Sequence, residues 1–112
     1  MPRSYIPERG DLVWLEFNPQ SGHEQAGHRP ALVLSPGTYN GKVGLALLCP
    51  ITSQTKGYPF EVRLPSPGKL TGVVLADQVK SLDWRTHKAQ LIGKASEETI
   101  DAVIGKLGTL LQ

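Results

Sequence analysis

The sequence is poor in cysteine, in long apolar runs and in net charge, with one Cys and a formal charge of +2 over 112 residues. Cys49 has no second cysteine for an internal disulfide, and its apolar surroundings LALLCPIT predict a buried thiol. No segment approaches the about 20 apolar residues of a membrane-spanning helix. The N-terminal MPRSYIPERGDLVW also lacks the apolar core of a secretory signal. We therefore expect a cytoplasmic protein that does not associate with membranes.

The sequence also lacks the common signatures of cofactor chemistry. It contains no Walker-type phosphate loop, no dinucleotide fingerprint and no Gly-x-Ser-x-Gly elbow. His23 and His28 lie in one predicted loop, His87 is distant in sequence, and no Cys pair accompanies them. We therefore expect no metal site and no cofactor.

The residues that are abundant indicate a small β protein. Twelve Gly and nine Pro in a chain of this length predict many turns within one domain, residues 1–112. Alternating apolar residues predict strands, and the apolar face of the third includes Val43, Leu45, Leu47, Cys49 and Ile51. The strand segments are residues 11–19, 29–35, 43–52, 58–64, 73–77 and 88–95.

The fourth segment is a half-exposed edge strand with inward Tyr58, Phe60, Val62 and Leu64. PGTYNGK predicts a turn or a short 3₁₀ segment, and QVKSLDW has no clear pattern.

One helix is predicted at the C-terminal end of the sequence. Ser96 is a suitable N-cap, and acidic residues follow it. Apolar residues then recur at helical spacing, at Ile100, Val103, Ile104, Leu107 and Leu111. The resulting fold class is mostly β, an SH3-like antiparallel barrel of five to seven strands with a C-terminal helix. Its open strand edges favour a homodimer.

The middle of the chain is locally basic and contains two candidate phosphate ligands. Between residues 25 and 76 there is one carboxylate, Glu61, against the five cations Arg29, Lys42, Lys56, Arg63 and Lys69. Arg29 lies where a Gly-rich loop enters a buried strand, a position suited to bidentate phosphate binding or to a loop salt bridge. Thr52, at the end of the central strand, can donate to a phosphate oxygen or satisfy local backbone, and Lys56 follows nearby.

Four segments together resemble the MazF family of toxins, the mRNA interferases of bacterial toxin–antitoxin systems. They are RGDLVWLEFNP, SGHEQAGHRPALVLSP, CPITSQTKGYPFEV and VLADQVKSLDW, in one order along the chain. The resemblance implies an SH3-like homodimer that cleaves single-stranded RNA at a short sequence without a metal. It also implies a catalytic pair, Arg29 and Thr52, with substrate contacts from Glu24, Gln25 and Gln78.

The chemistry of such a cleavage assigns further roles. Attack of the 2′-OH on phosphorus requires charge stabilisation, proton removal and proton delivery. Arginine is a poor general base at neutral pH, so the residues themselves suggest Glu24 as base and His28 as acid. Alternation along the strand, however, predicts that His28 and Arg29 point to opposite sides. The loop from His23 to His28 is predicted to act as a lid.

The resemblance implies a partner, and one alternative function shares the same architecture. An acidic antitoxin is expected to wrap the dimer and fold on binding. An alternative function is that of CcdB-type toxins, which share the architecture and bind a topoisomerase without cutting RNA. Those toxins end in a Trp, whereas this sequence ends GTLLQ, and they lack the Arg and Thr pair.

Overall fold

Seven strands, two α-helices and a 3₁₀ turn make up the part of the chain that the computed structural model describes, residues 5–17, 27–65 and 68–112. In chain order these are β1 (Asp11–Phe17), β2 (Gly27–Val33), α1 (Gly37–Val43), β3 (Leu45–Thr52), β4 (Glu61–Arg63), β5 (Val73–Leu75), the 3₁₀ turn Ala76–Gln78, β6 (Lys80–Asp83), β7 (Gln90–Lys94) and α2 (Glu97–Thr109). None of the helices in these ranges is long and apolar enough to cross a membrane.

The strands form one antiparallel sheet in the order β4-β5-β3-β2-β1-β7, and β6 pairs with β3 beside this path. Leu48 of β3 is opposite Val33 of β2 and also opposite Lys80 of β6, so these two neighbours lie on different edges of β3. The last two residues of β3 pair instead with β5. β3 therefore pairs with three strands, which confirms its predicted central place and the mostly β fold class.

Both faces of the sheet are buried, as the two apolar faces of the first predicted strand indicate. One cluster contains Leu12, Leu32 and Cys49 and packs against α2 through Val103. A second contains the alternate residues of the same strands and closes around Trp84, whose side chain is 3% exposed. Because neighbouring residues of a strand point to opposite faces, β1, β2 and β3 contribute to both clusters.

Helix α2 begins as predicted, with the Ser96 hydroxyl accepting a hydrogen bond from the Thr99 amide at 3.1 Å. Val103 is fully buried and Leu107 packs against the first cluster. Two residues of the predicted apolar face are not covered: Ile104 is 40% exposed, and Leu111, which is 77% exposed, lies beyond the end of the helix at Thr109. The apolar stripe of the helix is therefore narrower than its sequence spacing indicates.

The segment PGTYNGK is an α-helix, α1, and the prediction of a turn or 3₁₀ segment is wrong. A tertiary contact explains the difference: the buried Asn40 side chain donates to the carbonyls of Pro7 and Ser35 at 2.7 and 2.9 Å. Gly44 ends the helix in a left-handed conformation. Val43 therefore belongs to the helix, and not to the strand face on which it was expected.

Some predicted inward residues are exposed. Leu47 of β3 is 42% exposed and Tyr58 is 61% exposed, while Val62 and Leu64 are buried as expected. β4 spans three residues and lies at the end of the sheet path, which confirms an edge strand that is shorter than predicted. The unassigned segment QVKSLDW contains the end of the 3₁₀ turn and all of β6.

Candidate active site

The candidate site lies where β2 and β3 separate. Their last described pair is Ala31 opposite Pro50, and extending that register by two residues brings Arg29 opposite Thr52. Proline has no N–H, so Pro30 on β2 and Pro50 on β3 each remove one hydrogen-bond donor where the described pairing ends. In the extended register, the two residues that were predicted as a catalytic pair therefore face each other on strands that no longer pair, and both line the same cleft.

The main cleft has a volume of about 650 Å³. Its described lining residues include two cationic side chains and no carboxylate. Its polar lining residues are Arg29, Thr52, Gln78 and Lys80, and its apolar wall includes Leu15, Phe17, Leu48 and Leu82. This arrangement of positive charge and hydrogen-bond donors over an apolar wall suits an anionic ligand that also has apolar surface.

The Thr52 hydroxyl is held by its own chain. Its Oγ1 accepts a hydrogen bond from the Gln54 amide at 3.1 Å, the local backbone contact that was one of the two alternatives for this residue. Because this bond uses the oxygen as an acceptor, the hydroxyl hydrogen can still be donated to a ligand. Thr52 also pairs with Val73, so β5 supports it from behind the cleft.

A second cleft of about 520 Å³ lies across the same two strands, and Arg29, Pro30, Ile51 and Thr52 line both clefts. Both catalytic candidates are among these four shared residues, which we call the ridge. The other lining residues of the second cleft are Trp14, His28, Ser53, Lys69, Leu70 and Thr71.

The prediction that His28 and Arg29 point to opposite faces is confirmed by the register, in which His28 is opposite Glu16 and Arg29 is opposite Leu15. His28 Nε2 lies 3.5 Å from a Glu16 carboxylate oxygen, and its ring lies 6.1 Å from that of Trp14. Glu16 is also 3.7 Å from the Lys88 ammonium. His28 thus reaches the ridge only from the second cleft, whereas Arg29 lines both.

The other predicted site residues differ in where they lie relative to the two clefts. Gln78 lies in the main cleft with Arg29 and Thr52. Lys56 lines neither of these two clefts: its amide donates to Glu61, and its ammonium lies 6.0 Å from the Tyr58 ring centre. Glu24, Gln25 and residues 23–26 of the predicted lid lie outside the described residues. The last two lid residues, Gly27 and His28, belong to β2, so the prediction that His28 lies in the loop is wrong: the strand begins two residues earlier because Gly27 and His28 pair with Phe17 and Glu16 of β1.

Lys80 is a cleft residue that the sequence reasoning did not select. It follows Gln78, which ends the 3₁₀ turn, by two residues and begins β6. The available signal was its place in the segment VLADQVKSLDW, which carries the resemblance. Lys69 at the second cleft is a similar case: it was noted only as one of five scattered cations. Sequence alone does not show which of these cations approach the site.

Two observations concern groups that were expected to play no catalytic part. Cys49 is fully buried, and desolvation together with the nearby Asp77 carboxylate raises the pKa of its thiol to about 11. The burial confirms the predicted core thiol. Among residues 5–17, 27–65 and 68–112, no three His, Cys, Asp or Glu side chains come together as a metal-binding group.

The fold and the cleft agree with one class of small β proteins, the toxins of bacterial toxin–antitoxin systems. A sequence profile for the PemK-like, MazF-like toxin of type II toxin–antitoxin systems matches residues 8–111. The chain belongs to this family.

Two curated relatives and one solved structure show how similar the chain is to known members. It is 50% identical to the endoribonuclease toxin MazF of Escherichia coli K12 over 99% of both chains. It is 37% identical to the endoribonuclease toxin ChpB of the same strain, over 94% of both chains. A chain of the MazE–MazF crystal structure from Deinococcus radiodurans superposes with a TM-score of 0.92 at 56% identity, covering 96% of this chain and 97% of that one. The two curated relatives are named as endoribonucleases, and none of these three similarities supports the alternative of a topoisomerase-binding toxin.

Proposed function

We propose that this protein is an endoribonuclease toxin that cleaves single-stranded mRNA at a short sequence and is neutralised by an acidic antitoxin. The observation that carries the proposal is the facing pair Arg29 and Thr52 on a ridge between two clefts. The names of the relatives supply the reaction class. The cytoplasm, where mRNA is found, is the proposed compartment.

In the proposed reaction the 2′-oxygen of one nucleotide attacks the adjacent phosphorus, and the bond from phosphorus to the 5′-oxygen breaks. A base accepts the 2′-OH proton and an acid donates one to the departing 5′-oxygen, leaving a 2′,3′-cyclic phosphate and a 5′-OH end. No metal takes part in this proposal. Glu24 as base and His28 as acid remain proposals from the sequence.

The ridge geometry supports distinct roles for its two polar residues. The Arg29 guanidinium remains charged at neutral pH and can contact two phosphoryl oxygens at once, which suits charge stabilisation. Thr52 can donate its hydroxyl hydrogen to a non-bridging oxygen as negative charge develops there. With the scissile phosphate on the ridge, the flanking nucleotides extend into the clefts on either side.

Contacts within the clefts are suited to the rest of the substrate. Gln78 has both donors and acceptors for a base edge, and Lys80 supplies positive charge in the same cleft. In the second cleft the partly exposed Trp14 offers a ring on which a base can stack. Lys56 is retained as a proposed substrate contact only through the flexibility of its long side chain, since it lines neither cleft.

The proposed assembly is a homodimer whose groove is occluded by a disordered acidic segment of the antitoxin. The crystal structure of MazE–MazF from Deinococcus radiodurans contains a similar chain, which supports the proposal of a protein partner. Sedimentation equilibrium is expected to give twice the 12.2 kDa mass of the chain. A monomer at micromolar concentration would contradict this part of the proposal.

The cleavage proposal is tested with long single-stranded RNA in excess EDTA. Wild-type protein is compared with Arg29→Ala and Thr52→Ala, and with two controls outside both clefts, Arg63→Ala in β4 and Thr109→Ala in α2. We expect discrete cuts with cyclic phosphate and 5′-OH ends. The rate should fall by about 10²- to 10³-fold or more in the two site variants and stay within about threefold in the controls.

Other results of the same assay count against the proposal. Equal cleavage by all five proteins would remove Arg29 and Thr52 from the mechanism. The absence of cleavage by a folded wild-type protein would favour the topoisomerase-binding alternative. Cleavage that EDTA abolishes would show that the reaction needs a metal.

A further inference from the structure

We infer that Gly72 is a positioning residue for Thr52: its lack of a side chain lets the start of β5 lie against the end of β3 and so holds the Thr52 hydroxyl at the ridge. The inference rests on the proposed function, because that function gives the hydroxyl its role. Gly72 does not contact substrate in this proposal, and it acts only through Thr52.

The contact of Gly72 is with backbone. A Cβ added to it would overlap the carbonyl oxygen of Thr52 and would lie 2.9 Å from the Thr52 carbonyl carbon and 3.0 Å from Ser53 Cα. Backbone atoms cannot rotate away as the end of a flexible side chain can. Any side chain at position 72 therefore requires Thr52 and Ser53, or β5, to move.

The start of β5 is also held from its other side, so it cannot move away easily. The Gly72 carbonyl accepts a hydrogen bond from the Leu64 amide at 2.9 Å, and Val73 is opposite both Arg63 and Thr52. Gly72 is thus enclosed between the end of β4 and the end of β3. The displacement caused by a methyl group at this position is directed toward the ridge.

Backbone conformation alone does not distinguish Gly72 from other glycines. Its φ is +116°, and Gly44 has a φ of +84° at the opposite end of β3. A Cβ at Gly44 meets only the flexible Arg85 side chain, at an ordinary 3.6 Å. Among the described glycines with positive φ, Gly72 is the one whose added Cβ meets backbone atoms. A comparison of alanine at positions 72 and 44 therefore separates the contact from the conformational strain that both share.

The test measures kcat and KM on a short RNA substrate for Gly72→Ala, Gly44→Ala, Thr52→Ala and the double variant of Gly72 and Thr52. Rates are expressed per folded molecule, with the folded fraction taken from the near-ultraviolet circular dichroism of the buried Trp84. A misplacement of about 1 Å in a catalytic group can reduce the rate about 10²-fold. We expect Gly72→Ala to lower kcat by about that factor, with KM and the Gly44→Ala control within about threefold of wild type.

The double variant distinguishes positioning from general destabilisation. If Gly72 acts through Thr52, its substitution costs less than about threefold once Thr52 is already alanine, because the two effects are coupled. The same large loss in both backgrounds would overturn the inference. So would a normal kcat per folded molecule in Gly72→Ala, an effect confined to KM, or a variant with no folded fraction, which would assign the glycine a purely structural role.

The assay also separates failure of this inference from failure of the proposed function. A Thr52→Ala protein with wild-type kcat would refute the proposed role of Thr52, and the inference with it. A large loss in Thr52→Ala beside normal activity in Gly72→Ala would refute the inference alone.

Discussion

At the scale of single residues, the side-chain chemistry of Arg29 and Thr52 suggests a role for each, and the register of β2 and β3 then relates their positions. A guanidinium at the junction of loop and strand suits phosphate binding, and a hydroxyl at a strand end suits a hydrogen bond to the same group. Neither property connects the two residues. The register of β2 and β3 does so, because extending it by two residues beyond Ala31 and Pro50 places the two candidates at facing positions.

Cys49 allows a prediction about stability at high pH. Its thiol pKa is about 11 in the folded protein, against an ordinary value of 9.0. The folded state holds this proton more tightly, so its contribution to stability is complete below pH of about 9 and is lost as the pH rises toward about 11. The expected loss from this residue is about 1 to 3 kcal/mol.

The measurement is urea unfolding of wild type and Cys49→Ala at pH of about 8 and about 10.5. Tyrosines and lysines titrate in both proteins, so the difference between them isolates the thiol. We expect the stability advantage of wild type over the variant to shrink at the higher pH. An advantage that is the same at both pH values would contradict the prediction.

At the scale of elements, the two helices differ in how far sequence accounts for them. Helix α2 has its signals in its own sequence, an N-cap serine and acidic residues in the first turn. Helix α1 is short and contains two glycines, and its N-cap residue Pro36 offers no side-chain cap. The amide of its first residue, Gly37, donates instead to the Glu8 carboxylate at 2.6 Å. It is stabilised by the buried Asn40 and by the Trp84 indole, which donates to the Asn40 carbonyl at 2.9 Å. Only residues distant in sequence make this segment a helix.

The cap of α2 gives a prediction at this scale. Replacing Ser96 with alanine removes the acceptor for the Thr99 amide, and we expect the free energy of unfolding to fall by about 1 kcal/mol. Ser96→Asn is the matched control because asparagine caps as well as serine does, and it should remain within about 0.5 kcal/mol of wild type. Urea midpoints of the three proteins decide this. An equal loss in both variants would indicate that Ser96 acts through packing and not through its cap.

At the scale of the whole molecule, the net charge of +2 conceals where the charge is located. Arg29 and Lys80 line the main cleft, and Arg29 and Lys69 line the second. Cations from β2, β6 and a loop are thus brought to two adjoining clefts. A nearly neutral protein can in this way present a positive surface to RNA.

Lys80 provides the test of this arrangement. RNA binding is measured by fluorescence anisotropy over a range of salt concentrations, with a substrate whose attacking 2′-OH is replaced by hydrogen. Each phosphate contact contributes about 0.7 to the slope of log affinity against log salt for single strands. We expect Lys80→Gln to reduce that slope by about 0.7 and to weaken binding most at low salt.

The control is Lys42→Gln, which removes the same charge from α1, outside both clefts. Its salt dependence should match that of wild type. Equal slopes for Lys80→Gln and wild type would show that the ammonium makes no phosphate contact, and equal reductions in both variants would indicate a general effect of net charge.

The sequence by itself determined the strands with alternating apolar residues, the capped C-terminal helix, the buried thiol and the residues that resemble a toxin family. These are properties of local pattern and residue chemistry, which a single segment carries without its neighbours. It did not determine that PGTYNGK is a helix or that Leu47 and Tyr58 are exposed. Those outcomes depend on which surfaces the rest of the chain covers.

The tertiary structure alone decided that Arg29 faces Thr52, that Lys80 joins them in the main cleft while Lys56 does not, and that Gly72 lies against the backbone of Thr52. Each of these facts is a relation between segments far apart in sequence. Strand register and the close approach of two backbones result from packing the whole sheet, and a one-residue shift in register would reverse which faces meet. The physical reason is that a site depends on the distances between segments far apart in sequence, and folding of the whole chain sets those distances.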